Sequence, residues 1–316
     1  MSNDARRLKL VIGGLILGGF AVAVEVTVGW RAILAPWARV PPALMATALA
    51  LLIASYGLRA LRLHAHFADL GRGQLPRLLR LVLLHNALNN WLPMRIGEVS
   101  FPWLMHRYFA MPALRAIPAL LWLRALDLHA LLTWAGTAFL WAWHPGYAAA
   151  FAAVVIPLPW LGWHLLARVL PAATPSEGAR WFTRLASGLP HRRASLWQTV
   201  ALTHLLWVAK LSGLAVLLKS LAELPWWWAF VGSAGGDLTS VLPVHGLAGG
   251  GTFEAGVLLA LTPANIPTAQ ALTAAVGIHL MLLTSATVMV LPALLLPGMP
   301  DGFRQKPGAA RAHQRG

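Results

Sequence analysis

Leu92-Pro93-Met94-Arg95-Ile96-Gly97-Glu98 and, 150 residues later, Leu242-Pro243-Val244-His245-Gly246-Leu247-Ala248-Gly249-Gly250-Gly251-Thr252-Phe253-Glu254 share one pattern. In each, an apolar run breaks at Leu-Pro and restarts through glycine and a glutamate. Proline ends a helix by removing a donor and clashing with the preceding turn, and glycine lets the chain turn before the next helix begins. A pair of interrupted helices in corresponding positions of two halves points to a substrate site near the midplane of a membrane transporter.

Composition sets the environment of these breaks. The chain has 316 residues, 58% of them hydrophobic and only 11% charged, with a mean hydropathy of +0.64. A soluble globule carries about a quarter of its residues as charges, so this is a polytopic helical membrane protein. The net charge of +15 would suggest nucleic acid in a soluble chain, but most Lys and Arg fall in short connections between apolar runs, the positive-inside pattern. There is no cysteine, which excludes disulfides and thiolate chemistry. The 12 histidines form no metal spacing, and His64, His66 and Asp69 read as a polar loop. The basic start followed by an apolar run resembles a signal peptide, yet the run continues to Trp30 and further spans follow, so it reads as a retained first span.

Six segments reach the roughly 20 residues needed to cross a bilayer core: 10–30, 42–63, 113–141, 147–170, 196–218 and 268–296. The shorter segments 76–91, 97–110, 226–242 and 251–262 read as half-helices of two re-entrant hairpins. Arg59, Arg62, Arg72, Arg77 and Arg80 count among the inner charges, with Arg107, Arg115 and the basic segment 168–193, whereas only Arg31, Arg39 and Lys219 fall outside. Both termini are therefore expected in the cytoplasm. The expected architecture is an all-α integral membrane protein with six full transmembrane helices plus two re-entrant helical hairpins in an inverted repeat. It forms one membrane domain, residues 1–300, with repeat halves 1–144 and 145–300; residues 301–316 read as a disordered basic tail. Residues 179–189 read either as a basic amphipathic helix on the inner leaflet or as a solvated loop.

Ionisable groups at membrane depth are costly and mark functional sites. Around the first break, Asn86, Asn89 and Asn90 share a helix face after His85, and Arg95 and Glu98 follow. Arg95 offers a planar fork for phosphate or carboxylate beside the amino end of the next half-helix, where free N–H groups favour an anion; the alternative is an ion pair with Glu98 or Asp127. Around the second break stand Ser233, Asp237, Ser240, His245 and Glu254. Glu98 and Glu254 sit early in the second half-helix of their hairpins, suited to capping N–H groups or, alternatively, to proton or ion coupling, a gating or coupling role shared with Asp237 and His245. Gly249 and Gly250 either form an anion-binding nest or simply turn the chain. Arg124 and Asp127, three residues apart, read as an architectural ion pair. Lys210 and Glu25 read as groups near helix ends that snorkel to an interface, and single histidines such as His204 and His279 as packing residues.

The runs Asn89-Asn90-Trp91-Leu92-Pro93-Met94-Arg95-Ile96-Gly97-Glu98 and Arg124-Ala125-Leu126-Asp127, and Leu242-Pro243 followed by glycines and Glu254, resemble the lysylphosphatidylglycerol synthase transmembrane, or flippase-like, family over roughly residues 8 to 297. Val244 and His245 depart from the more usual Leu-Pro-Gly form. In the namesake enzymes this region is joined to a cytosolic aminoacyl-transferase domain and is implicated in moving the aminoacylated lipid outward; this chain reads as a stand-alone member without that domain. Stand-alone relatives are associated with translocating other polar or isoprenoid lipids. The resemblance implies a lipid translocase of the bacterial inner membrane, with an anionic phospholipid or isoprenoid lipid as ligand. It implies no cofactor, no metal and no nucleic acid, and a lipid-synthesis enzyme is a candidate partner. Three alternatives stay open: an ion-coupled transporter of a small anion, an intramembrane enzyme acting on a lipid phosphate with His85 or His245 as acid/base, and a structural partner subunit of a lipid-synthesis complex. No familiar catalytic motif is present.

Overall fold

Prolines open several of the helices. Pro42, Pro76 and Pro145 lie in first turns, where their missing N–H has no intrahelical partner to lose. The computed structural model describes residues 35–92, 97–169, 192–239 and 247–298, with isolated positions at 22, 25–26, 29–31, 188 and 190. Among the described residues the long elements are α1 (Pro42–His66), α2 (Leu75–Trp91), α3 (Ser100–Phe109), α4 (Ala113–Trp141), α5 (Pro145–Val155), α6 (Leu158–Val169), α7 (Arg193–Ala222), α8 (Trp226–Thr239), α9 (Thr252–Leu261), α10 (Thr268–Val288) and α11 (Val290–Leu295), and none is a strand.

Among the described residues five stretches are long and apolar enough to cross a membrane: α1, α4, α5 with α6 over Pro145–Leu165, α7, and α10 with α11 over Thr268–Leu295. These coincide with five of the six expected spans. The sixth, residues 10–30, lies outside the described residues apart from a few positions, as do the segment 179–189 except for position 188 and the tail 301–316. α5 and α6 bend at residues 156–157, where Pro157 lacks the N–H that would continue the ladder. The four shorter segments form α2, α3, α8 and α9, of 17, 10, 14 and 10 residues, so even the longest reaches only about 25 Å. α2 packs on α3, and α8 on α9. Residues 93–96 and 240–246, with Arg95, Ser240 and His245, lie outside the described residues.

Among the described residues two large apolar cores hold the bundle, beside two smaller clusters. The larger joins α1, α4, α7, α8, α9 and α10 through residues such as Leu52, Leu131, Leu211, Leu214, Phe253 and Ile278. α1 and α7 approach closely because Gly213 leaves room for the backbone of Ala48; a Cβ there would sit 3.0 Å from the Ala48 carbonyl oxygen, the small-residue contact typical of membrane helices. The smaller core packs the end of α1 with α2, α3 and the start of α4 through Leu63, Leu78, Leu104 and Met105. Leu114, Leu161, Leu259 and Leu295 are exposed, as a surface facing lipid requires. Buried hydroxyls are satisfied locally: Thr133, Thr199 and Thr203 each donate to the carbonyl one turn back, at 2.7 Å, which a bilayer without water demands.

Three basic residues stand elsewhere than expected. Arg59 and Arg62, counted as inner loop charges, lie within α1 and face the bundle interior. Lys210, expected to snorkel, sits inside α7 and pairs with Asp237 of α8 at 2.6 Å. Desolvation makes an unpaired ammonium costly, so the partner across the bundle outweighs the reach to an interface.

Candidate functional site

A cavity of about 120 Å3 opens at the seam between the two cores, between the polar face of α2 and the facing sides of α1, α4, α7, α8 and α10. Its apolar wall comes from both, with Leu81 and Phe101 from one and Trp207 and Phe253 from the other. Its polar wall holds Arg59, Arg62, Arg124, Lys210, Asp127, Asp237, His85, His279 and the amides of Asn86, Asn89 and Asn90.

Asp127 organises one side. Its carboxylate accepts hydrogen bonds from Arg62, from Arg124 Nη1 at 3.0 Å and from Trp207 Nε1 at 2.9 Å. Arg62 reaches it across from α1, and Arg62 Nη1 also lies 3.4 Å from the Thr203 hydroxyl. Arg124 continues the chain to the first broken segment, its Nε 2.9 Å from Glu98 Oε1. The i,i+3 pair foreseen between Arg124 and Asp127 is thus part of a network spanning α1, α4, α7 and the short turn before α3. Shared burial of this kind strengthens each bond and makes the loss of any member costly.

His85 is fully engaged. The Ser100 hydroxyl donates to the Gly97 carbonyl at 2.5 Å and therefore accepts from His85 Nδ1 at 2.8 Å. Nε2 is left as the acceptor facing Arg124 Nη2 at 3.3 Å. The neutral Nδ1–H tautomer satisfies both contacts, which ties the end of α2 to the start of α3 and leaves no free nitrogen for acid/base work.

The second broken segment is held by a different clamp. His279 Nε2 donates to the Ala248 carbonyl at 3.0 Å, while Nδ1 lies 2.7 Å from Glu254 Oε1. Since Nε2 carries its own hydrogen, the short contact to Glu254 needs one more proton, shared between ring and carboxyl, so the pair is neutral as a whole. Glu254 Oε2 accepts the Gly251 N–H at 2.8 Å, capping α9 as the sequence allowed. Gly249 and Gly251 take φ near +80° and Ala248 +52°; this left-handed turn is where glycine is favoured.

Asn86, Asn89, Asn90, Asp237 and Gly249 all line the cavity, and Glu98 borders it through Arg124. Glu254 reaches it only through His279, and Gly250 faces a separate void of about 30 Å3 with Glu254 and His279. Arg95 and His245 lie outside the described residues. Sequence reasoning missed Arg59, Arg62, Lys210 and Trp207 as cavity residues. A signal existed for two of them, because Ser55, Arg59, Arg62 and His66 follow at spacings of four, three and four along α1, one polar stripe on an otherwise apolar helix.

Residues 8–290 match the family described as the lysylphosphatidylglycerol synthase TM region. No curated protein and no solved structure matches the chain. A match over that length, on a chain whose two broken segments and Arg124–Asp127 pair border one polar cavity, identifies it: the protein belongs to the lysylphosphatidylglycerol synthase transmembrane region family.

Proposed function

We propose that the protein is a lipid translocase, carrying a lipid with a polar or anionic headgroup between the leaflets of the bacterial inner membrane. One observation carries the reading: a charge-rich cavity enclosed by membrane-crossing helices. Each charge placed at bilayer depth costs about 2.5–3.5 kcal/mol on insertion scales; a chain that keeps several around an open space gains a polar compartment where lipid tails offer none. A headgroup can shed its water there while its chains remain among the exposed leucines of the bundle. Membership of a family named for a lipid-synthesising enzyme supports a lipid as cargo.

On this reading residues 10–30 form a sixth span, α2 with α3 and α8 with α9 are re-entrant hairpins inserted from opposite faces in an inverted repeat, and both termini are cytoplasmic. Asn86, Asn89, Asn90 and Gly249 line the headgroup's path, joined by Arg95 and Gly250. Asp237, Glu98, His245 and Glu254 serve gating or coupling, and Arg124 with Asp127 holds the wall.

The test is leaflet exchange of a labelled lipid in vesicles carrying the purified protein. Exchange is expected to exceed that of protein-free vesicles, and Leu123→Trp, which fills the cavity from α4, is expected to slow it at equal amounts of folded protein. No acceleration with any native lipid extract would sink the proposal.

A further inference from the structure

We infer that Arg59 is the anion-binding residue of the cavity, and that the group it takes is a phosphate, carried by a lipid headgroup or free in solution. The inference deepens the translocase reading and rests on the same cavity.

The argument starts from pairing. Asp69 is held by Arg115, Glu98 by Arg124, Asp127 by Arg62 and Arg124, Asp237 by Lys210, and Glu254 by His279. None of these carboxylates is bonded to Arg59, which among the described residues makes no hydrogen bond or ion pair; its Nε is buried without a partner. Among the described residues around the cavity, Arg59, Arg62, Arg124 and Lys210 face Asp127, Asp237 and Glu98, so there the four cations exceed the three carboxylates. A buried cation with no carboxylate in direct contact is unfavourable, and an anionic guest relieves that cost.

Position completes the case. The Arg59 guanidinium carbon lies 5.5 Å from the centroid of the Trp207 ring, and Lys210 Nζ lies 5.1 Å from the same centroid. Trp207 is itself fixed by its bond to Asp127. A ring that attracts cations through its face therefore gathers two of them toward one volume, and Asn90 Nδ2, on the opposite wall, is a buried donor without a partner. A guanidinium fork, an ammonium and an amide N–H together match the several acceptor oxygens of a phosphate. Arg62 and Arg124, each already paired with a carboxylate, hold the wall and leave Arg59 to the guest.

The experiment compares wild type, Arg59→Gln and Arg59→Lys in nanodiscs. It measures retention of phosphatidylglycerol against phosphatidylethanolamine by mass spectrometry, and displacement of the lipid by inorganic phosphate. Wild type is expected to retain the anionic lipid preferentially, Arg59→Gln to lose that preference about tenfold as one charge-assisted contact is removed, and Arg59→Lys to keep part of it. Because removing the Arg59 guanidinium leaves no hydrogen-bonding group unpaired among the described residues, the lipid-free melting temperature of Arg59→Gln is expected to equal or exceed that of wild type; a residue that merely braces the wall would lower it. Phosphate binding that depends on Arg59 without any lipid preference would uphold the inference and assign the anion to the aqueous phase, against the translocase reading. Retention of phosphatidylglycerol and binding of inorganic phosphate that are both equal in wild type and Arg59→Gln overturn the inference, and lipid exchange at the wild-type rate in that variant would leave the translocase reading standing.

Discussion

The two broken segments begin from the same Leu-Pro punctuation and are built in opposite ways. α2 and α3 pack through bulky side chains, Leu78, Leu81, Phe101, Leu104 and Met105, with one backbone approach where Gly97 meets Asn89; a Cβ at Gly97 would sit 2.4 Å from the Asn89 Cα. α8 and α9 pack backbone on backbone: a Cβ on Gly235 would lie 2.5 Å from the Gly256 oxygen, and one on Gly256 2.4 Å from the Gly235 oxygen. Polar groups divide the same way. The first segment leaves Asn89 Oδ1 and Asn90 Nδ2 buried without partners at the cavity, whereas the second joins Glu254 to His279 and to its own Gly251 N–H. Glycine in α8 and α9 therefore supplies closeness, and the unsatisfied amides beside the first break supply sites for a guest.

The contrast breaks most readily at the glycine contact. Gly256→Val is expected to destabilise the protein by about 3 kcal/mol, the upper end of overpacking penalties, visible as a lowered melting temperature in detergent. Gly57→Ala serves as its control, because nothing lies within 4 Å of the added methyl, and a helix-interior alanine stabilises by up to about 1 kcal/mol. Equal effects of the two changes would dissolve the distinction.

A smaller effect is expected at the clamp. Glu254→Ala leaves the Gly251 N–H and His279 Nδ1 unpaired and should cost about 1–3 kcal/mol. Glu254→Gln can accept from Gly251 and donate to His279 Nδ1, and should melt close to wild type. The pair of variants sharpens what the carboxyl does: lipid exchange lost in a well-folded Glu254→Gln protein would mark the shared proton as part of the cycle, and exchange preserved would make Glu254 a cap.

The smallest change in stability is expected at the first segment. Asn90→Ala removes a donor without a partner among the described residues, so the melting temperature should move by less than about 1 kcal/mol equivalent in either direction, while lipid exchange slows. A large loss of stability there would show that the amide holds the fold, and the contrast between the segments would fail.

Much of this was legible in the residues. Apolar runs of bilayer length marked α1, α4, α5 with α6, α7 and α10, and the shorter runs marked α2, α3, α8 and α9, because proline and glycine act on the backbone locally whatever surrounds them. The asparagine stripe was legible too, as helical spacing fixes which side chains share a face. Less legible was the direction in which a charge turns. Arg59 and Arg62 end an apolar run and resemble interfacial charges, and Lys210 resembles a snorkelling lysine, since hydropathy along one helix carries no record of what stands across from it.

The sequence by itself determined that the chain is a helical membrane protein, where its helices break, and that few charges remain inside it. Only the tertiary structure decided which charges meet. Arg62 of α1 and Asp127 of α4 are 65 residues apart in the chain, Lys210 of α7 and Asp237 of α8 27 apart, and their pairing follows from the way α1, α4 and α8 all pack against α7. Desolvation compels each buried charge to find a partner. With those bonds made, the cation left over among the described residues of the cavity is Arg59, and only the packed bundle could single it out.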